Sequence, residues 1–178
     1  LFAEGVFNAA FIPSYTSEVL ISKKSGKNFA DEVYNLLILI LLIIVFVVEI
    51  FTPAFVYLIA PGFYSNIEKF NFAVELTRIT FPFLFFISLS SFFSAILNSN
   101  NKFAAAAAAP IILNIFLILS LFFSYLFKLN YAINLSYAVS FAGFFQLAFL
   151  IFVTKFYYVP SVRLKLKFSQ SVKLFLTK

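Results

Sequence analysis

Glu4, Asn8, Tyr15, Glu18 and Ser22 recur at spacings of 4, 7, 3 and 4 residues within an otherwise apolar stretch. On an α-helix those positions share one face, interrupted only by Phe11. A carboxylate, an amide, a phenol and a hydroxyl on one face can bind a polar cargo, hold a charged partner or line a water path. In a membrane such a face must look at protein or at a water-filled cavity, not at lipid. Gly5 and Pro13 belong to the same stretch. Pro13 removes a backbone donor, frees the carbonyl of Ala9 and bends a helix, and Gly5 loosens it. The competing reading is an amphipathic helix lying flat among the headgroups. The scarcity of Lys and Arg before its C-terminal end speaks against that reading.

Other polar residues stand alone in apolar surroundings. Glu49 breaks a long apolar run and is followed by Thr52 and Pro53. An acid there either serves transport or sits near an interface and reaches water or a neighbouring helix. Glu75 and Arg78 stand three apart, a spacing that permits a pair, and Arg78 can snorkel to an interface. Pro82 should kink its helix. Ser88, Ser90, Ser91 and Ser94 suit close helix packing or a polar lining. Asn114 lies deep in an apolar span, where an amide bridges two helices or binds a ligand.

Several chemistries find no residues. The chain has no Cys and no His, so thiolate chemistry, imidazole proton transfer and a nitrogen-ligated zinc site are absent. It shows no nucleophile–base pair, no glycine-rich phosphate loop and no ligand cluster, so no catalytic residue, metal or cofactor is expected. Transport asks for less: a polar face, bent helices and access from two sides.

The elements that carry these residues are membrane helices. Of 178 residues 63% are hydrophobic and 11% charged, whereas a soluble domain carries roughly 25% charged residues. The apolar periodicity predicts an all-α polytopic bundle of about five transmembrane helices, over 1–22, 33–59, 72–97, 103–127 and 131–154. Residues 1–154 form the membrane portion and 155–178 a basic cytoplasmic segment leading to the next helix. Both ends look cut, and an internal piece of a longer membrane protein is expected.

The positive charges orient the bundle. The segments after the first and third helices and the tail hold Lys23, Lys24, Lys27, Lys102, Lys155, Arg163, Lys165, Lys167, Lys173 and Lys178. The other side holds Lys69, Lys128 and Arg78. The lysine-rich side is therefore cytoplasmic, and the first helix descends from outside with Glu4 in the outer half. The tail suits an anionic leaflet. Nucleic acid, the other use of such a charge run, does not fit a tail attached to membrane helices.

Ordered motifs carry a resemblance. LFAEGVFNAAFIP (1–13) resembles the F-A-E-G-x-F-x-x-A-F-x-P stretch on the second helix of the MurJ/MviN lipid II flippases. IAPGF (59–63), RITFPF (78–83), AILNSNNKF (95–103) and PIILNI (110–115) resemble that family's later motifs in the same order. The resemblance implies a fourteen-helix, two-lobe transporter in the inner membrane of a bacterium. It moves lipid II, the lipid-linked peptidoglycan precursor, to the outer leaflet by alternating access. This chain would be most of the N-terminal lobe, partnered by the remainder of the same transporter and by membrane lipids at the basic tail. Of the family's cavity residues only Glu4 has a counterpart here, with Asn8 one turn along; the cavity arginines would lie ahead of Leu1. Gly5 and Pro13 match the bent second helix. The alanine run Ala104–Ala109 departs from the family pattern, and Glu49 matches none of its motifs. Alternatives of other kinds are an exporter of another lipid-linked glycan or a drug, a membrane-embedded glycan-assembly enzyme or subunit, and an inactive truncated product.

Overall fold

A computed structural model describes residues 2–162, 169, 171 and 172, with side chains from residue 7 onward. Its secondary structure is helical throughout these residues: α1 (Phe2–Ile21), α2 (Lys23–Ile50), α3 (Thr52–Ile59), a 3-10 turn (Pro61–Ser65), α4 (Ile67–Thr80), α5 (Pro82–Ser99), α6 (Phe103–Phe127) and α7 (Tyr131–Thr154). Among the described residues four stretches are long and apolar enough to cross a membrane: α2, the α4–α5 run Ile67–Ser99, α6 and α7. Lipid replaces water as their solvent, so large apolar side chains such as Phe46, Ile118 and Phe141 stand exposed.

The polar stretch after the first helix is not a loop. Lys23 to Glu32 form the opening turns of α2, and the turn between α1 and α2 is the single residue Ser22. Ser22 manages this because its amide donates back to the Glu18 carbonyl at 3.2 Å while its hydroxyl accepts from the Ser25 amide at 3.0 Å. The hydroxyl thus satisfies one of the orphan donors of the new helix. Gly26 lets the two helices meet here, since a Cβ at that position would lie 2.4 Å from Val19 Cγ2. Asp31 and Glu32, just ahead of the helix expected over 33–59, therefore sit in the third turn of α2.

Two other expected elements are divided. The second helix stops at Ile50 and resumes as α3 after Phe51, with Pro53 in the first turn of α3, where a missing amide costs nothing. The stretch before Asn71 is already helical from Ile67, capped by the Asn66 side chain, which accepts from the Lys69 amide at 3.0 Å. This run separates into α4 and α5 at Phe81, one residue ahead of Pro82. By contrast α1 continues unbroken through Gly5 and Pro13, and α6 through Pro110. Asn101 and Lys128 adopt positive φ and end α5 and α6, so the chain reverses sharply at both turns.

The chain divides into two compact units. The first comprises 1–40, 87–109 and 147–178; the second comprises 41–86 and 110–146. The core of the first is a knot of rings around Phe92, which is fully buried. Phe11, Tyr34, Phe93 and Tyr158 approach it with centroids at 5.3, 5.3, 5.4 and 5.9 Å. Ser90, Ser91 and Ser94 are buried on the same helix, so these serines serve packing. In the second unit Val56, Phe70 and Val74 cluster where α3 meets α4.

Candidate functional site

The α1 face carries the first group of candidate residues. Glu4 and Gly5 lie in its opening turns, and their side chains fall outside the described residues. Asn8 is half-buried, and its Oδ1 has no hydrogen-bond partner among the described residues. Below it, Phe7, Phe11 and Tyr15 stack at successive turns with centroids 5.2 and 5.5 Å apart. This aromatic column shares the polar face because 3.6 residues per turn aligns positions four apart. Phe11, which interrupts the polar stripe in sequence, is fully buried against Phe29 and Phe92. The lower half of the stripe thus faces protein. Tyr15 is buried and hydrogen-bonds the Asn100 side chain, and the Glu18 carboxylate accepts from the Ser25 hydroxyl. Pro13 points away from this face and is exposed.

At the foot of α1 the three lysine-rich segments converge. A crevice of about 550 Å³ is lined by Tyr15, Lys23 and Lys27 from α1 and α2, by Asn100 from the α5–α6 turn, and by Lys155 and Phe156 after α7. Lys102 places its ammonium 6.0 Å over the Tyr157 ring. The charge count placed these segments on one side of the membrane, and all three contribute to this one crevice.

Beside it, Asp31 straps the segment after α7 to α2. Its carboxylate accepts from the Tyr158 hydroxyl at 2.7 Å, the Ser161 amide at 3.0 Å and the Lys27 ammonium at 3.1 Å. Asn35 Nδ2 donates to the Ser161 carbonyl at 3.0 Å, and Glu32 accepts from the Ser169 amide at 2.8 Å. Burial pushes the Tyr158 hydroxyl far above the ordinary tyrosine range, and the neighbouring Asp31 adds to the shift. Tyr158 is therefore a fixed proton donor. Arg163, Lys165, Lys167, Lys173 and Lys178 of the basic tail lie outside the described residues.

The second unit holds a different kind of cavity. About 580 Å³ in volume, it is bounded by Arg78, Pro82 and Phe86 from α4 and α5, and by Tyr137, Phe141 and Phe145 from α7. Two details explain why α5 and α7 come so close there. Gly143 leaves no Cβ, which would otherwise lie 2.6 Å from Phe83 Cδ2. Ser140 donates its hydroxyl to the Ile79 carbonyl, which lies at the α4–α5 break beside Pro82. Glu49, read as alone, is within electrostatic reach of Arg78. Arg78 Nε donates to Thr52 Oγ1 at 3.4 Å, and Glu75 forms no ion pair with it among the described residues. Asn114 is exposed on α6 and bridges no pair of helices among the described residues.

Sequence reasoning singled out Asn8 and the lysines as candidates and passed over Phe92, Tyr158 and the meeting of Asp31 with Ser161. The i, i+4 recurrence of Phe7, Phe11 and Tyr15 was the available signal for the ring cluster. The Tyr158–Asp31 contact spans 127 residues of sequence and has no local signature.

The chain as a whole matches a known family. The model of the lipid II flippase MurJ family matches residues 1–178. A probable lipid II flippase MurJ of Rickettsia prowazekii is 43% identical over 157 residues, which is 87% of this chain and 30% of that protein. The namesake of Rhizobium tropici is 42% identical over 83% of this chain and 29% of its own length. That of Aquifex aeolicus is 32% identical over the whole chain and 34% of its own length. The chain therefore spans about a third of the curated relatives it matches. A polar helix face, four membrane-length helices and this match over every residue lead to one conclusion: the chain is a multi-pass membrane protein and belongs to the lipid II flippase MurJ family, a family of transporters rather than enzymes.

Proposed function

We propose that this chain is the greater part of the N-terminal lobe of a lipid II flippase in the inner membrane of a bacterium. The whole transporter carries the lipid-linked peptidoglycan precursor from the cytoplasmic to the outer leaflet by alternating access. The observation that carries this reading is the family match over residues 1–178 together with relatives about three times as long. Residues 1–154 are read as five crossings of the lobe, α1 included, and 155–178 as a cytoplasmic connector whose cations meet anionic lipid. The remainder of the transporter is the obligate partner, because half of a two-lobed carrier has no opposing half against which to rock.

In this reading α1 is a wall of the cargo cavity. Glu4 and Asn8 face the cavity, and the Asn8 Oδ1, buried and without a hydrogen-bond partner among the described residues, leaves an acceptor at that turn for a donor outside them. Glu4 sets the positions of cationic groups that receive the pyrophosphate. Gly5, Pro13 and Pro82 are the points at which helices bend as access alternates. The test is precursor flipping in cells whose own flippase has been depleted, supplied with the full-length protein. The unsubstituted protein restores outer-leaflet precursor, and Glu4→Ala lowers the rate by about tenfold, the scale of one lost charge-assisted contact. Failure of the unsubstituted protein to restore flipping would remove the reading; undiminished flipping by Glu4→Ala would remove the role of Glu4 alone.

A further inference from the structure

The crevice at the foot of α1 has a composition that an ordinary positive boundary does not require. Sidedness asks only for lysines somewhere near the cytoplasmic surface. Here Lys23, Lys27 and Lys155 come from two segments far apart in sequence and line one cavity of about 550 Å³, and among the described residues no carboxylate lines it. Lys27 is shared with Asp31 at 3.1 Å, which lies outside that lining, and among the described residues Lys23 and Lys155 form no ion pair. Lys155 is held in place, its ammonium 4.0 Å over the Phe152 ring and 5.3 Å over the Phe156 ring.

The rest of the lining completes a particular chemistry. Tyr15 places a hydroxyl on the crevice wall, a neutral group that can donate to an oxygen anion, while the Asn100 amide beside it donates to the Ile96 carbonyl at 2.8 Å. Phe156 and Val159 line the same crevice and stand exposed, presenting apolar surface beside the cations. An occupant that satisfies both halves is an anionic phosphate group attached to a hydrocarbon chain. Tyr15 also belongs to the α1 stripe that leads through Asn8 to Glu4. The crevice therefore lies at the cytoplasmic end of the proposed cavity wall.

We infer that this crevice is a loading site for the prenyl-linked pyrophosphate head of the cargo on its cytoplasmic side. The inference rests on the flippase reading given above. Lys23 and Lys155 supply charge, Tyr15 orients the phosphate oxygens, and Phe156 and Val159 receive the first carbons of the chain. An anionic glycerophospholipid headgroup offers similar charge, and free pyrophosphate offers the charge without the chain, so the test separates the three.

The experiment measures binding of farnesyl pyrophosphate to the full-length protein in phosphatidylcholine nanodiscs. The double variant Lys23→Gln/Lys155→Gln binds about tenfold more weakly, and Lys23→Arg/Lys155→Arg restores binding. The control Lys69→Gln/Lys128→Gln, on the opposite side, stays within about twofold of the unsubstituted protein. Thermal transitions of all variants establish that each is folded. Inorganic pyrophosphate, and phosphatidylglycerol incorporated into the discs, each compete at least tenfold less well than the prenyl compound. Undiminished binding by the glutamine variant, or equal competition by either competitor, overturns the inference while leaving the flippase reading intact. Absence of binding by the unsubstituted protein overturns the inference as well, while the flippase reading stands or falls with the flipping assay given above.

Discussion

The lysine-rich end of the first unit and the apolar cavity of the second are of similar size, about 550 and 580 Å³, yet they are built by opposite means. The first is organised by directed polar contacts: Asp31 takes three donors, Glu32 takes the Ser169 amide, and Ser22 caps α2. The second is organised by close approach: Gly143 admits Phe83, and Phe86 meets Phe144 edge-on at 5.8 Å. The difference follows from the solvent. Near water, a charged strap can specify one geometry while its outer atoms stay hydrated. Within hydrocarbon, helix association gains nothing from the hydrophobic effect and relies on van der Waals contact, small residues and sparing hydrogen bonds such as Ser140 to Ile79.

Truncating rings tests this contrast most strongly. Phe92→Ala, in the fully buried knot of the first unit, should cost about 3–5 kcal/mol, because the rings of Phe7, Phe11, Tyr34, Phe93 and Tyr158 lose their common partner. Phe86→Ala in the second unit should cost less than half as much, since among the described residues its ring pairs with Phe85 and Phe144 alone. Unfolding in a denaturing detergent series measures both, and equal losses would break the distinction. Next in size is Gly143→Ala. The added Cβ meets Phe83 at 2.6 Å, and the resulting overpacking should cost about 1–3 kcal/mol. A neutral or stabilising result would mean that α5 and α7 give way easily.

The smallest effect belongs to the strap. Tyr158→Phe removes one donor from Asp31 and should cost about 1 kcal/mol, while releasing the segment after α7 to proteolysis. The same contact predicts a pH dependence. The folded hydroxyl stays protonated well above the value near 10 of an unfolded tyrosine. Below pH about 10 both states hold the proton and its contribution is constant. Above that, the unfolded chain loses a proton that the folded chain keeps, so stability falls as pH rises. In the Tyr158→Phe variant that part of the alkaline loss should vanish, which denaturation at pH 9 and pH 11 would show.

Much of the fold was legible in the sequence, and the reasons are local. The apolar runs announce membrane helices because backbone polar groups in lipid must be satisfied within a helix. NSNNK before α6 and Asn130 before α7 mark their turns plainly; the Asn130 side chain accepts from the amides of Ala132 and Ile133. What sequence misjudged was the polar stretch Lys23–Glu32. Its lysines and glycine look like a loop, but Ser22 caps it and its buried face, Phe29 and Ala30, packs into the first unit. Tertiary burial overrides weak propensity there. The divisions at Phe51 and Phe81 lie beside prolines that sequence did flag. For the candidate site the polar stripe was visible, whereas its aromatic backing and the Asp31 strap depend on contacts between residues distant in sequence.

The central claim is that the upper end of the α1 stripe, at Glu4 and Asn8, borders a water-filled cargo path rather than lipid. The chain has no native cysteine, so single cysteines introduced into it report alone once the remainder of the protein is cleared of thiols. Glu4→Cys and Asn8→Cys would be compared with Phe46→Cys, an exposed position in the apolar run of α2, using a membrane-impermeant maleimide on intact cells. Thiolates react only where water reaches them. The account predicts labelling at positions 4 and 8 and none at 46. Labelling at neither 4 nor 8, with the protein folded and in the membrane, would contradict it.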